Sequence, residues 1–249
     1  MPFKTFAIAG ISGAVSKAFL QGFLDLPTVP KIFILSRQDK PDIPSHPNIT
    51  VLKVDYTSSD TIAASLRGKE IEDLNTIAGN LLAQEPLVQA VKQVGIKLFV
   101  PSEFGVIPKE NSPLAAKLTI RKLAEEQGIP TAIYLNGLFA EYVSWLFGKE
   151  KVRVLNENRI VSITSFVDVG RFLAWSLTTL PDEQLYNSIW RLEGDRLSVK
   201  EVAEMLKNKY DAEVVHVTKD DLPLTQDLAG FINFFLLYVG FPLFVIFRE

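Results

Sequence analysis

Residues 3–16 read Phe-Lys-Thr-Phe-Ala-Ile-Ala-Gly-Ile-Ser-Gly-Ala-Val-Ser. An apolar run with the length of a buried strand enters Gly10 and Gly13 and leaves as a helix. A strand, a tight glycine turn and a helix N-terminus together make a seat for a dinucleotide pyrophosphate. The glycines let the backbone approach the phosphates, and the first helical N–H groups are unpaired and partly positive. The spacing is Gly-x-x-Gly-x-x-Ser, with Ser16 where a third glycine is usual. A glycine pair alone also serves ordinary α/β turns, so the assignment depends on the rest of the chain. Gly10, Ser12, Gly13, Ala14 and Val15 are the candidate phosphate-binding residues.

Working outward, strand patterns alternate with helical ones. Strands are expected at 3–9, 31–36, 50–54, 97–100 and 130–135, and helices at 13–24, 61–67, 82–94 and 113–127. That alternation predicts a doubly wound parallel sheet of the Rossmann type with helices on both faces. One segment resists. Residues 69–80, Lys-Glu-Ile-Glu-Asp-Leu-Asn-Thr-Ile-Ala-Gly-Asn, fall where a fourth strand is needed and are acidic for a central buried strand. Either a short strand hides at 73–77, or the region is damaged or shortened. In the second half, an aromatic helix is expected at 138–147, strands at 159–163, 187–192 and 213–217, and helices at 167–178 and 199–207. The second of these helices opens on the capping box Ser198-Val-Lys-Glu201. The expected division is a dinucleotide-binding core over residues 1–155 and a small substrate lobe over 156–249, with returning sheet elements and an apolar tail.

Composition removes several classes of function. With 249 residues and a formal net charge of −3, the chain has no general attraction for nucleic acid and shows no basic stripe. Zero cysteines exclude a thiol nucleophile, a thiolate metal site and a disulfide scaffold, and two separated histidines give no basis for a metal centre. The N-terminus lacks the form of a secretory signal, so a cytoplasmic protein with a small-molecule ligand is expected. Residues 228–247 carry no charge and hold six of the 17 phenylalanines. Their length matches a bilayer, but Asn233, Gly240 and Pro242 interrupt them, so a buried C-terminal helix with an apolar tail is favoured over membrane contact.

Ser36-Arg37 closes the second strand, where a dinucleotide fold meets the adenosine ribose. An acid at this place binds the 2′-hydroxyl of NAD, and an arginine accommodates a 2′-phosphate, so Arg37 points to NADP unless it is simply a solvated strand-end residue. The loop Pro101-Ser-Glu-Phe-Gly105 follows a strand and therefore faces the ligand crevice. Ser102 and Glu103 fit either ligand orientation or a capped turn. Lys117 lies on the border of the apolar face formed by Ala116, Ile120, Leu123 and Ala124; by itself it reads as a surface lysine.

These segments resemble the NmrA-like and isoflavone-reductase-like family of atypical short-chain dehydrogenases, and the texture is most similar to fungal members. The resemblance rests on Pro101–Gly105, on Pro113-Leu-Ala-Ala-Lys-Leu-Thr-Ile-Arg121 and on Ile133-Tyr-Leu-Asn-Gly137. It extends through Phe166-Val-Asp-Val-Gly-Arg-Phe172 and Leu192-Glu-Gly-Asp-Arg-Leu-Ser198. It implies an NADP-binding Rossmann domain with a small C-terminal substrate lobe, and a lysine matching Lys117 as general acid/base. No tyrosine is followed by a lysine four positions on, so the ordinary Tyr-x-x-x-Lys dyad is absent. Asp55, Phe104, Lys117 and Asn136 join the candidate cofactor-binding set with Ser36, Arg37, Ser102 and Glu103. The expected function is reduction of a small aromatic or conjugated substrate by NADPH. The alternative is a regulator that senses NADP without turnover, a type that tends to lack the lysine. Ser16, the acidic fourth strand, the shorter length and the apolar tail depart from the family pattern; the tail would fit truncation or altered splicing.

Overall fold

The strand over Thr5–Ala9 (β1) is buried along almost its whole length and takes a parallel neighbour on each side. The computed structural model of the chain describes residues 2–222 and Ile232. After β1 come α1 (Ala14–Leu24), β2 (Lys31–Ser36), β3 (Ile49–Lys53), α2 (Ser59–Leu66) and β4 (Asp73–Thr76). Then follow α3 (Glu85–Val94), β5 (Leu98–Val100), α4 (Ala115–Glu126) and β6 (Ala132–Leu135). The strand order is β3-β2-β1-β4-β5, all parallel. A parallel bridge between Phe99 and Thr131 continues the sheet toward β6. This is the doubly wound topology expected from the alternation, and its crevice opens beyond the carboxyl ends of β1 and β4.

The remaining elements are β7 (Leu138–Phe139), α5 (Val143–Phe147), β8 (Lys151–Val154), β9 (Ile160–Thr164), α6 (Phe166–Thr179) and α7 (Asp182–Leu185). They end with β10 (Ser188–Arg191), β11 (Asp195–Ser198), α8 (Val199–Tyr210) and β12 (Glu213–His216). β10 returns to pair with β6, whereas β7, β9 and β11 form one small sheet and β8 and β12 another. The capping box at α8 is present: Ser198 Oγ accepts from Glu201 N–H, and the Glu201 carboxylate accepts from Ser198 N–H.

Two apolar layers sandwich the main sheet. Phe19, Leu20 and Phe23 of α1, with Val169, Leu173 and Leu177 of α6, cover one face. Ile62 and Leu66 of α2, Leu87 and Val91 of α3, and Ile120 and Ala124 of α4 cover the other. α1 and α6 touch backbone to backbone at Gly22 and Gly170. A Cβ on Gly22 would lie 2.3 Å from Gly170 O, and one on Gly170 would lie 2.6 Å from Ala18 O. The glycine of the Asp-Val-Gly-Arg stretch is thus a packing requirement.

Of the two readings of residues 69–80 the structure bears out the short strand, and it corrects one other expectation. Residues 73–76 do form the central strand between β1 and β5 despite their polarity, and Asp73 and Asn75 are 0 % and 1 % exposed. The expected helix over 138–147 is broken: Leu138–Phe139 pair with β9, Ala140–Tyr142 form a 3₁₀ turn, and only Val143–Phe147 are α-helical. The aromatic spacing satisfied a helical pattern, but pairing of Leu138 with Ile163 claims the first residues for a strand. β8, β11 and α7 were not anticipated. The apolar stretch 228–247 lies outside the described residues apart from Ile232, which packs on the apolar cluster that includes Leu146 and Val199. Among the described residues no helix is long and apolar enough to cross a membrane.

Candidate active site

At the end of β1 the chain turns on Gly10 with φ +87°, a conformation that disfavours any side chain. A Cβ there would lie 1.8 Å from Ile77 O, so the first glycine is fixed by both torsion and contact. Ser16 is the answer to the missing third glycine. Fully buried, it donates from Oγ to Gly13 O (2.9 Å) and accepts from Gly13 N–H (3.2 Å), which closes the turn. No side chain caps α1, and no acidic residue stands in its first turn. The positive end of the helix is therefore left to an external anion.

This turn forms one wall of a cavity of about 1050 Å³. Gly10, Ser12, Gly13, Ala14, Val15, Ser102, Phe104 and Lys117 all line it, so the structure brings together eight of the candidate residues. Its other half is apolar, formed by Val106, Leu114, Leu138, Phe139, Trp145 and Leu146. The volume and the two-sided character suit a dinucleotide with a flat organic substrate beside it. The glycine turn and the uncapped helix fit a pyrophosphate.

Among the described residues, Lys117 is the one charged side chain in that lining. It is 5 % exposed, which overturns its reading as a surface residue. The 101–105 loop closes over it, and its Nζ donates to Phe104 O at 2.6 Å. Burial pulls its pKa down to about 8; Glu103 opposes that shift and Arg121 adds to it. A lysine so placed can hold or release a proton near neutral pH.

The other candidates sit elsewhere. Glu103 does not face the cavity: it is 1 % exposed and paired with Arg121, Nε to Oε1 at 3.0 Å and Nη2 to Oε2 at 2.5 Å. Asn136 lies behind the wall, fully buried, and its Oδ1 accepts from Gly105 N–H at 2.8 Å. Ser36 caps its own turn by accepting from Gln38 N–H, while Arg37 is exposed at the end of β2. Asp55 is exposed and accepts from Thr57 N–H and Oγ1–H, and those bonds hold its carboxyl below the usual range. Ser102 is tied to distant segments and also reaches the cavity. Its Oγ accepts from Ala78 N–H (2.9 Å) and its N–H donates to Gln84 Oε1 (2.7 Å), yet it still lines the cavity.

Tyr56 was missed. Its hydroxyl donates to Leu35 O at 2.7 Å and accepts from Gly10 N–H at 3.4 Å, which ties the end of β2 to the glycine turn. Burial pushes the phenol up to about 12, so it stays a neutral donor. Its position just after β3 carries no local signal, because the contact exists only across strands.

A family model described as the NmrA-like family matches residues 2–234. Isoflavone reductase homolog P3 of Arabidopsis thaliana is 24% identical over 197 residues, covering 70% of this chain and 63% of that protein. Isoflavone reductase homolog IRL of Zea mays is 25% identical over 179 residues, covering 65% and 57%. The chain thus spans about three fifths of the length of these relatives. Both come from plants and lend no support to the fungal resemblance. Among solved structures, the leucoanthocyanidin reductase–NADPH complex of Vitis vinifera superposes with a TM-score of 0.75 at 22% identity, covering 92% of this chain and 84% of the other. The NADPH-dependent quinone oxidoreductase of Escherichia coli, complexed with NADPH, gives 0.71 at 16%, covering 92% and 86%.

Proposed function

The chain belongs to the NmrA-like family, and on that premise we propose that it is an NADPH-dependent oxidoreductase that reduces a small aromatic or conjugated substrate. The observation that carries this reading is the buried Lys117 amine in a cavity whose opposite wall is the glycine turn. Leucoanthocyanidin reductase and quinone oxidoreductase, both solved with NADPH, support it at the level of a shared fold.

NADPH, when bound, would supply a hydride. The chain's own residues would do the rest. Gly10, Gly13 and the N–H groups opening α1 would hold the pyrophosphate, and Arg37 would meet the 2′-phosphate through charge-assisted hydrogen bonds. The substrate would lie against Leu138, Phe139 and Trp145, which keep water from its ring. Where a bound substrate gained negative charge on a conjugated oxygen, the Lys117 ammonium would give its proton to that oxygen. The amine then regains a proton from solvent, and the Phe104 carbonyl holds it in place between turnovers. The 1–155 core would supply the cofactor side and part of the apolar wall, and the small lobe would back that wall.

The test is titration of the purified protein with NADPH and NADH, followed by a screen of enones, quinones and phenolic substrates. Tight NADPH binding with turnover of at least one conjugated carbonyl is expected. NADPH binding with no turnover across the screen would favour the NADP-sensing alternative, and no binding would overturn both.

A further inference from the structure

One face of α4 grips two consecutive residues of the 101–105 loop. Lys117 and Arg121 are four residues apart, so their side chains leave the same side of the helix one turn from each other. Lys117 Nζ holds the backbone carbonyl of Phe104 at 2.6 Å, and Arg121 holds the carboxylate of Glu103 through two hydrogen bonds. Asn136 Oδ1 fixes the next residue from the other side by accepting from Gly105 N–H. A carboxylate 1 % exposed is costly to bury unless it is paired, and a two-point guanidinium contact fixes both distance and plane. The acceptor that orients the lysine is therefore one peptide away from the clamp.

We propose that Glu103 and Arg121 are a positioning pair for Lys117, anchoring the loop whose Phe104 carbonyl holds the amine and balancing the charge beside it. This rests on the reading of Lys117 as the proton-transfer group. Electrostatics agree with the geometry. The charged groups acting on Lys117 are Glu103 from the loop, which favours the ammonium, and Arg121 from its own helix, which disfavours it. Tyr142 is the other titratable residue in the cavity lining. With Glu103 neutralised by Arg121, burial decides the outcome and the amine titrates at about 8. Neither residue touches the cavity, so neither is a catalytic residue.

The two partners must act in opposite directions. Arg121→Gln removes the charge that disfavours the ammonium and leaves the buried carboxylate that favours it, so it should raise the lysine's titration midpoint by about one pH unit. Glu103→Gln leaves the guanidinium without its counter-charge and should lower the midpoint by about the same amount. Arg121→Lys keeps the charge and loses the two-point grip, so its midpoint should stay at the wild-type value while kcat falls at unchanged KM for NADPH. The midpoint is read by NMR on the free protein labelled with ε-13C lysine, with Lys117→Ala identifying the resonance. That readout needs no turnover, so it stands apart from the substrate screen. Shifts of the same sign in the two Gln variants, or none in a folded Glu103→Gln protein, would overturn the pairing. If Arg121→Gln does not fold, the Glu103→Gln and Arg121→Lys midpoints decide the matter alone.

Discussion

At the level of single residues, Lys117 lines the cavity and Arg37 stands exposed at the end of β2, outside that lining. Lys117 is buried with its amine on Phe104 O, so Lys117→Ala should leave NADPH affinity intact and lower turnover by about two to four orders of magnitude, the range for a lost acid/base group. Lys117→Arg should not rescue it, because a guanidinium cannot exchange a proton near pH 8. In the wild type, reduction needs the ammonium, so kcat should fall as pH rises through about 8, and that limb should be missing from the alanine variant. Stopped-flow assays at saturating NADPH check all three. Arg37 is exposed at the end of β2, as a contact for a 2′-phosphate requires. Arg37→Asp should weaken NADPH about ten- to a hundredfold, the loss of one to two charge-assisted hydrogen bonds, and shift preference toward NADH. Equal fluorescence-titration affinities for the two cofactors in the unmutated protein would remove Arg37 from the site. The glycine turn was legible because local geometry and residue type sufficed. The burial of Lys117 was not, because the loop that covers it comes from another strand.

The element that most resists simple rules is β4. Its Asp73 and Asn75 alternate with Leu74 and Thr76, so both polar side chains face the layer that holds Phe6, Ile8 and Tyr134. Asn75 Nδ2 donates to Asp73 Oδ2 at 2.6 Å, while Asp73 Oδ1 and Asn75 Oδ1 have no hydrogen-bond partner among the described residues. Burial pushes the Asp73 carboxyl well above the usual carboxylate range, Glu72 pushes it the same way, and the Asn75 bond opposes them. A proton removes the buried charge and makes the carboxyl a donor. The folded state therefore holds a proton that the unfolded chain releases above pH 4. Stability from this group is complete below that pH, falls by about 1.4 kcal/mol per pH unit above it, and is lost once pH exceeds the folded pKa. Asp73→Asn keeps shape and neutrality, so it should abolish that slope and stabilise the protein at pH 7. Urea melts from pH 4 to pH 8 check this; an unchanged slope in the variant would show that Asp73 is ionised in the fold. The composition of 69–80 argued against a central strand because the sequence could not show that neighbouring strands would bury a neutral carboxyl.

On the scale of the whole molecule, the crevice joins β1, β4, the 101–105 loop, α4 and the β7–α5 segment, so one ligand would tie most of the fold together. A ligand that binds only the folded chain stabilises it by about 2.7 kcal/mol at a hundred times its Kd. For a chain of this size, that corresponds to a rise in Tm of about 5–10 °C. Such a rise is expected with NADPH and should be much smaller with the same concentration of NADH. Differential scanning fluorimetry checks it, and matching shifts would mean that the 2′-phosphate makes no contact.

By itself the sequence determined whatever a short window encodes. The apolar run into Gly10 and Gly13, the β-α alternation and the Ser198–Glu201 capping box each depend on neighbours within a turn or a strand, and backbone sterics and hydrogen bonding act at that range. The motifs at 101–105, 113–121 and 133–137 likewise identified the family. Only the tertiary structure decided which polar groups lose water. Lys117, Glu103, Asn136 and Asp73 are all nearly or fully buried by segments distant in the chain, and desolvation is what gives each its partner or its shifted proton affinity. The split of 138–147 into strand, turn and helix has the same origin, because pairing with β9 outweighs a local helical pattern.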